Sequence, residues 1–274
     1  MRLVAVSLIL LSAHMASAQD HHARLDALRA EGYEALFNLD YETARSRFKK
    51  MIDLAPDHPA GAQCYASSLW VQQLNEAWKL KSTLYNDKST DDKPRVDRKQ
   101  AEEFRRWTRQ AKQLSEARLR KDKQDVEALY FLGAAEGLEA AFAAGVERKF
   151  MPAFRSGTDA VDRHRAVLKL APDFHDAELT IGLMNYVVGS LPLPAKMLAG
   201  TMGVRGSKKR GLEALERVAK EGKWARDIAR MLLVDLYKRE KRFADAAEMA
   251  RQLAEKYPRN NLFKLQMTET RNQR

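Results

Sequence analysis

The stretch Ala160–Tyr186, AVDRHRAVLKLAPDFHDAELTIGLMNY, holds the pattern from which the fold class follows. It reads as the end of one helix, a proline-marked turn and the start of another. His164, Val167 and Pro172 lie at offsets 4, 7 and 12 from Ala160. The same offsets hold Phe48, Met51 and Pro56 after Ala44, and Ala250, Leu253 and Pro258 after Ala246. Offsets of 4 and 7 put side chains on one helix face, and a proline beyond them cannot donate to the preceding turn, so the helix stops. Three copies of one joint predict an all-α chain built from helical repeats.

The repeated residues also carry a family pattern. A small residue at the helix contact (Ala44, Ala160, Ala246), an aromatic three positions earlier (Tyr41, Phe243) and a closing proline resemble the second half of a tetratricopeptide repeat. Gly32 fits the first half. Gly157 replaces the aromatic in the central copy, Val234 stands where the last copy would have glycine, and the spacing departs from a period of about 34 residues. The resemblance implies an α-solenoid of about five tetratricopeptide-like hairpins, some with elongated helices. A second resemblance lies in Gly182–Gly211, GLMNYVVGSLPLPAKMLAGTMGVRGSKKRG, followed by LEALERVAKEG and later by YPRNNLFKLQ. It is similar to bacterial relatives of the tetratricopeptide repeat protein 39 and inclusion-body clearance family. The matching points are Gly182 to Gly189, Leu191-Pro192, the apolar PAKMLAGTMG and the approach to the next helix from Arg205-Gly206 to Arg210-Gly211-Leu212. It covers roughly Arg106 to Leu265 and implies a helical scaffold without a defined reaction.

Met1-Arg2, the apolar run LVAVSLILLSAHM and the small-x-small pattern Ala16-Ser17-Ala18 read as a secretory signal peptide over 1–18, leaving a repeat domain over 19–274. A buried first helix is the alternative, but the run is too short for a membrane span of about 20 residues and lacks a polar face. No transmembrane helix is expected in the mature chain. No cysteine follows the cleavage site, which argues against a lipid anchor, and the single Cys64 permits no intrachain disulfide. Small residues surround Cys64, so it reads as helix packing rather than as a reactive thiol. Export without disulfides points to a bacterial periplasm or cell exterior. A mature start at Gln19-Asp20-His21 could bind copper or nickel through its amine and third-place His, yet any such start has that geometry, and it reads as an exposed tail.

In chain order, helices are expected over 21–37, 41–54, 59–85 and 96–121, with Asn86–Pro94 as a charged loop tip. Asp125 should cap the next helix, whose small residues (Gly133 to Ala144) admit a close neighbour. Pro152 begins the helix that ends in the opening joint, and Asp173 begins one reaching Gly189. Ser190–Ser207 reads as irregular, with one or two apolar turns between Lys196 and Met202. Helices over 212–220, 224–238 and 242–257 follow, and Leu262–Met267 caps the stack. Ten principal helices in five hairpins result.

Chemistry is scarce. The chain has no HExxH, GxSxG or CxxC, and its glycine-rich 200–209 run lacks the phosphate-loop order. His164 reads as a packed or half-exposed ring, Asp176 as a complement to its own helix dipole, and Glu102 and Glu103 as pointing apart. No catalytic residue, cofactor or metal is assigned. The formal charge is +11, with 13 basic against 7 acidic residues over 88–123 and 8 against 3 over 205–226. Such runs are either solvated faces or sites for anionic partners, and export argues against nucleic acid. The apolar Pro194–Val204 segment is expected to fold over the stack's own groove rather than touch a membrane surface. The expected function is therefore an exported scaffold for a protein or peptide, with Tyr33, Glu136, Glu139, Asn185 and Tyr186 as candidate contact residues. A core position for Tyr186 and a helix-ending role for Asn185 stand beside that reading. The alternative function is a peripheral envelope factor whose basic face binds an anionic membrane or polymer surface.

Overall fold

The computed structural model describes residues 2–84 and 97–271, with side chains over 20–76 and 97–270. The described residues form twelve α-helices: α1 (Arg2–Phe37), α2 (Tyr41–Leu54), α3 (Pro59–Leu84), α4 (Arg98–Lys121), α5 (Val126–Gly145), α6 (Phe150–Leu170), α7 (Glu178–Ser190), α8 (Leu193–Thr201), α9 (Lys208–Glu221), α10 (Arg226–Arg239), α11 (Phe243–Lys256) and α12 (Asn261–Arg271). The loop expected at Asn86–Pro94, with Tyr85 and Val96, lies outside the described residues.

The proline joints have one geometry. The residue before each proline caps its helix at φ/ψ of −138/76° (Ala55), −138/84° (Ala171) and −122/69° (Tyr257), and each cap N–H donates to the carbonyl four residues back. A following proline crowds the α region for the residue before it, so all three helices stop at the same step. At the starts, Asp40 accepts from Thr43 N (3.1 Å) and Asp125 from Ala128 N (2.9 Å), as short carboxylates do at N-caps.

Five antiparallel hairpins result: α1/α2, α3/α4, α5/α6, α7/α9 and α10/α11. Each packs on the next, and α12 closes the end with Phe263 buried. Glycines set the closest crossings. Gly32 lies under the Phe48 ring, and Gly133 under His164, where a Cβ would sit 2.7 Å from the imidazole. The small residue and the ring thus recur in both hairpins, although Gly32 precedes Ala44 closely and Gly133 is far from Ala160. Elongated helices separate the two halves of the pattern in sequence while their contact is kept. Between α7 and α9 the backbones themselves meet: a Cβ on Gly211 would stand 2.6 Å from Tyr186 N.

Two expectations are corrected in the fourth hairpin. A 3₁₀ turn, His175–Ala177, precedes α7, and Asp176 does not serve its own helix. Its buried carboxylate accepts from Lys223 N (3.1 Å), Trp224 N (2.9 Å) and Ala225 N (2.7 Å), holding the turn that leads into α10 across the repeat. Residues 190–207 contain α8, a nine-residue helix that buries Ala199 and leaves its larger apolar side chains in solvent. It does not fold over a groove, because Leu193, Met197 and Leu198 point away from the stack.

The stack curves far enough to meet itself. Asn260 Nδ2 donates to Phe37 O (2.7 Å), Arg259 N donates to Asn38 Oδ1 (3.2 Å), and the Phe37 and Tyr257 rings lie 5.1 Å apart. Lys223 Nζ reaches Asp26 (2.6 Å). One core therefore runs from Leu25 and Phe37 in α1 to Val234, Leu253 and Phe263 near the C-terminus.

Candidate functional site

The inner face of this closed turn has two halves, set by side-chain size along α5. Over Ala128–Gly133 every residue is buried, and Tyr130 and Phe131 reach across to Trp224, at ring separations of 5.4 and 5.7 Å. Phe174 stands 5.3 Å from Trp224 on another side. Arg29 from α1 completes the cluster: its guanidinium lies 3.8 Å over the Trp224 ring and 5.3 Å from Phe131, with Asp26 at 3.4 Å. Arg29 is 4% exposed, and its Nε and one terminal nitrogen have no hydrogen-bond partner, nor does Trp224 Nε1. Aromatic faces thus do much of what water would do for this cation. Cys64 lies near Arg29 and Tyr33. Burial pushes its thiol pKa up despite the nearby cation, the opposite of the shift that activates a thiolate.

Beyond Gly133 the same helix changes character. Ala135, Glu136 and Phe142 stay buried, but Ala134, Gly137, Leu138, Ala140, Ala141, Ala143 and Ala144 are half-exposed, and Thr180, Ile181 and Asn185 of α7 are too. Gly137 faces Thr180, where a Cβ would sit 3.5 Å from the hydroxyl, so α5 and α7 run side by side here. Alanine and glycine cannot reach across the turn as Tyr130 and Phe131 do, and this half remains open.

The candidate contact residues do not converge on one surface. Tyr33 is half-buried between the Phe37 and Phe48 rings (6.0 and 5.4 Å), and burial raises its hydroxyl's pKa well above the usual value. Glu136 is buried 3.8 Å from Arg163, with Oε2 lacking a hydrogen-bond partner. Burial pushes its carboxyl up to about 7, against the pull of Arg163 and Lys112. Glu139 is half-exposed and bound to Lys112 at 2.8 Å. Asn185 is half-exposed and donates to Ile181 O (2.9 Å) within its own helix. Tyr186 is buried, its hydroxyl donating to Glu240 (2.7 Å), which places it in the core rather than on a contact surface.

His164 is fully packed. Its ring stacks on Tyr130 (5.3 Å) and Nε2 donates to Tyr130 O (3.1 Å), while burial holds its pKa down to about 4. Glu103 accepts from Tyr65 (2.9 Å) while Glu102 pairs with Arg98, so these carboxylates do part. Among the described residues no three His, Cys, Asp or Glu side chains are grouped to hold a metal ion, and no helix is long and apolar enough to cross a membrane. The sequence reading missed Arg29 and Trp224. A signal existed, since Arg29 sits in the stripe Leu25, Gly32, Leu36, where a charge has no business unless something inside receives it.

No protein-family model matches the chain, and no curated protein matches it either. Among solved structures, the crystal structure of a thermophilic tetratricopeptide repeat protein from Thermus thermophilus is similar, with a TM-score of 0.47 and 14% identity, covering 90% of this chain and 99% of that one.

Proposed function

We propose that the chain is an exported tetratricopeptide-like scaffold that holds a protein or peptide on the open half of its inner face and catalyses no reaction. The observation that carries this is the change along α5 from a wholly buried stretch to one where small residues alternate between buried and half-exposed, continued on α7 by half-exposed Ile181 and Asn185. Curved hairpin stacks use such inner faces to receive extended partners. Small side chains leave room for a partner's larger ones, and Asn185 can exchange its bond to Ile181 O for one to a partner's backbone. The Gly182–Gly211 motif supports kinship with the bacterial relatives of the inclusion-body clearance family, and the leader-like 1–18 supports export.

The test immobilises the 19–274 chain and captures partners from an envelope extract of the source cell. Ala141→Arg and Asn185→Ala should each weaken capture by about tenfold, the loss of one good contact. Their melting temperatures should stay near that of the unchanged chain. Equal capture by all three proteins would overturn the reading. Intact mass of the exported product should show Gln19 as its first residue; an exported chain retaining Met1 would overturn the processing assignment.

A further inference from the structure

Uncovered apolar side chains collect at one rim of the stack. Phe150 and Met151 at the start of α6 are 67% and 58% exposed, and Val187 near the end of α7 is 47% exposed. On α8 and just past it, Leu193, Met197, Leu198 and Met202 are 71%, 65%, 59% and 48% exposed. These belong together because α6 and α7 are antiparallel. Gly157 faces Met184, whose sulfur would lie 3.5 Å from an added Cβ. Going back from Gly157 to Phe150 matches going forward from Met184 to Leu191, the step from which α8 departs. The rim is a projecting tip, not a cleft.

The segment that carries α8 has charge of one sign. From Leu179 to Leu212 there are five basic residues, Lys196, Arg205, Lys208, Lys209 and Arg210, and no acidic one. All five are exposed, as are Arg148 and Lys149 across the rim. Lys208 and Lys149 have carboxylate partners at 2.7 and 3.2 Å (Glu240 and Glu147), whereas Lys196, Arg205 and Arg210 pair with no carboxylate among the described residues.

We propose that this tip docks on an anionic phospholipid bilayer, with α8 lying in the interface. A convex apolar surface offers no pocket for a partner's anchoring side chain, but it suits a medium that is apolar at depth and anionic above. Leucine and methionine would enter the acyl boundary, and the lysine and arginine stems would extend back to the phosphates. At 1.5 Å per residue α8 is about 13 Å long, against about 30 Å of hydrocarbon, so it lies along the surface and does not span. Docking of the tip leaves the open half of the inner face free and does not depend on a partner there.

The test is flotation of the 19–274 chain with vesicles of phosphatidylcholine alone or mixed with phosphatidylglycerol. Flotation is expected with the mixed vesicles, less with the neutral ones, and it should fall as salt rises. The triple variant Leu193→Gln/Met197→Gln/Leu198→Gln should bind mixed vesicles at least about tenfold more weakly. Lys196→Gln/Arg205→Gln/Arg210→Gln should lose about a hundredfold, near fivefold per charge. Both variants should melt as the unchanged chain does, since the altered side chains are exposed, and Ala141→Arg should float normally. No flotation by the unchanged chain, or equal flotation by the apolar variant, would overturn the proposal. So would a dimer that the apolar variant dissolves, because a second copy would then cover the tip.

Discussion

The two halves of the inner face are built on the same helices and differ in side-chain size. At the closed half, Tyr130, Phe131, Phe174 and Trp224 fill the middle of the turn and a buried arginine is held against their faces. At the open half, α5 offers mostly alanine and glycine, and many of these residues are half-exposed. Curvature alone therefore does not make a groove in a hairpin stack. Where the inner residues are large and the first and last hairpins meet, the concave side becomes core; where they are small, it remains surface.

The strongest challenge to this contrast is Trp224→Ala. Trp224 is partly buried in the core, so its loss should lie at the lower end of the about 3–5 kcal/mol that a large core aromatic costs, and at about 2–4 °C per kcal/mol for a chain of this size the melting temperature should fall by about 6–10 °C. A fall as small as that of a tip variant would mean that the closed half does not hold the turn together. Asp176→Ala should come next, at about 2 kcal/mol by denaturant unfolding, because three N–H groups in the turn before α10, the Ala225 one buried, lose their acceptor. Asp176→Asn should recover part of that loss.

Two titrations probe the boundary between the halves. Glu136 has a raised folded pKa, so its favourable protonated state is complete below the unfolded value near 4.5 and is lost as pH rises through about 7. Glu136→Gln should therefore stabilise by about 1–2 kcal/mol at pH 8 and by little at pH 4, read as the difference in melting temperature from the unchanged chain. His164 is the reverse case. Its depressed folded pKa gives stability that is present above about 6.5 and lost as pH falls toward 4. His164→Phe, which copies the Phe48-on-Gly32 arrangement of the first hairpin, should flatten that acid limb. An unchanged pH profile would show that His164 is not the group opposing acid. The smallest effect belongs to the tip: Leu193→Ala should change stability by less than about 0.5 kcal/mol, since its side chain is already in water.

Much of the helical frame was readable because its signals are local. Asp40, Asp125, Pro56, Pro172 and Pro258 act on their own backbone or their neighbour's, and the boundaries of α2 follow from such residues alone. The turn before α7 was not readable in the same way, because Asp176 acts on amides about fifty positions away. The candidate contact residues differ in exposure. Asn185 and Glu139 are accessible, while Tyr186 and Glu136 face inward, and no local rule separates an inner-face tyrosine from one whose hydroxyl meets Glu240 in the next hairpin.

Periodicity, proline sterics and composition need no partner in space, and they were enough to indicate an all-α fold of about five hairpins, a cysteine packed among small residues and a basic excess over 205–226. Four features had to wait for the folded chain: the first and last hairpins meet, Arg29 lies buried on Trp224, α5 is core for half its length, and α8 turns its leucines and methionines outward. Each of these depends on how far the hairpins rotate against one another. That rotation is the sum of many small packing angles, fixed by contacts such as Gly133 with His164 and Gly182 with Gly211.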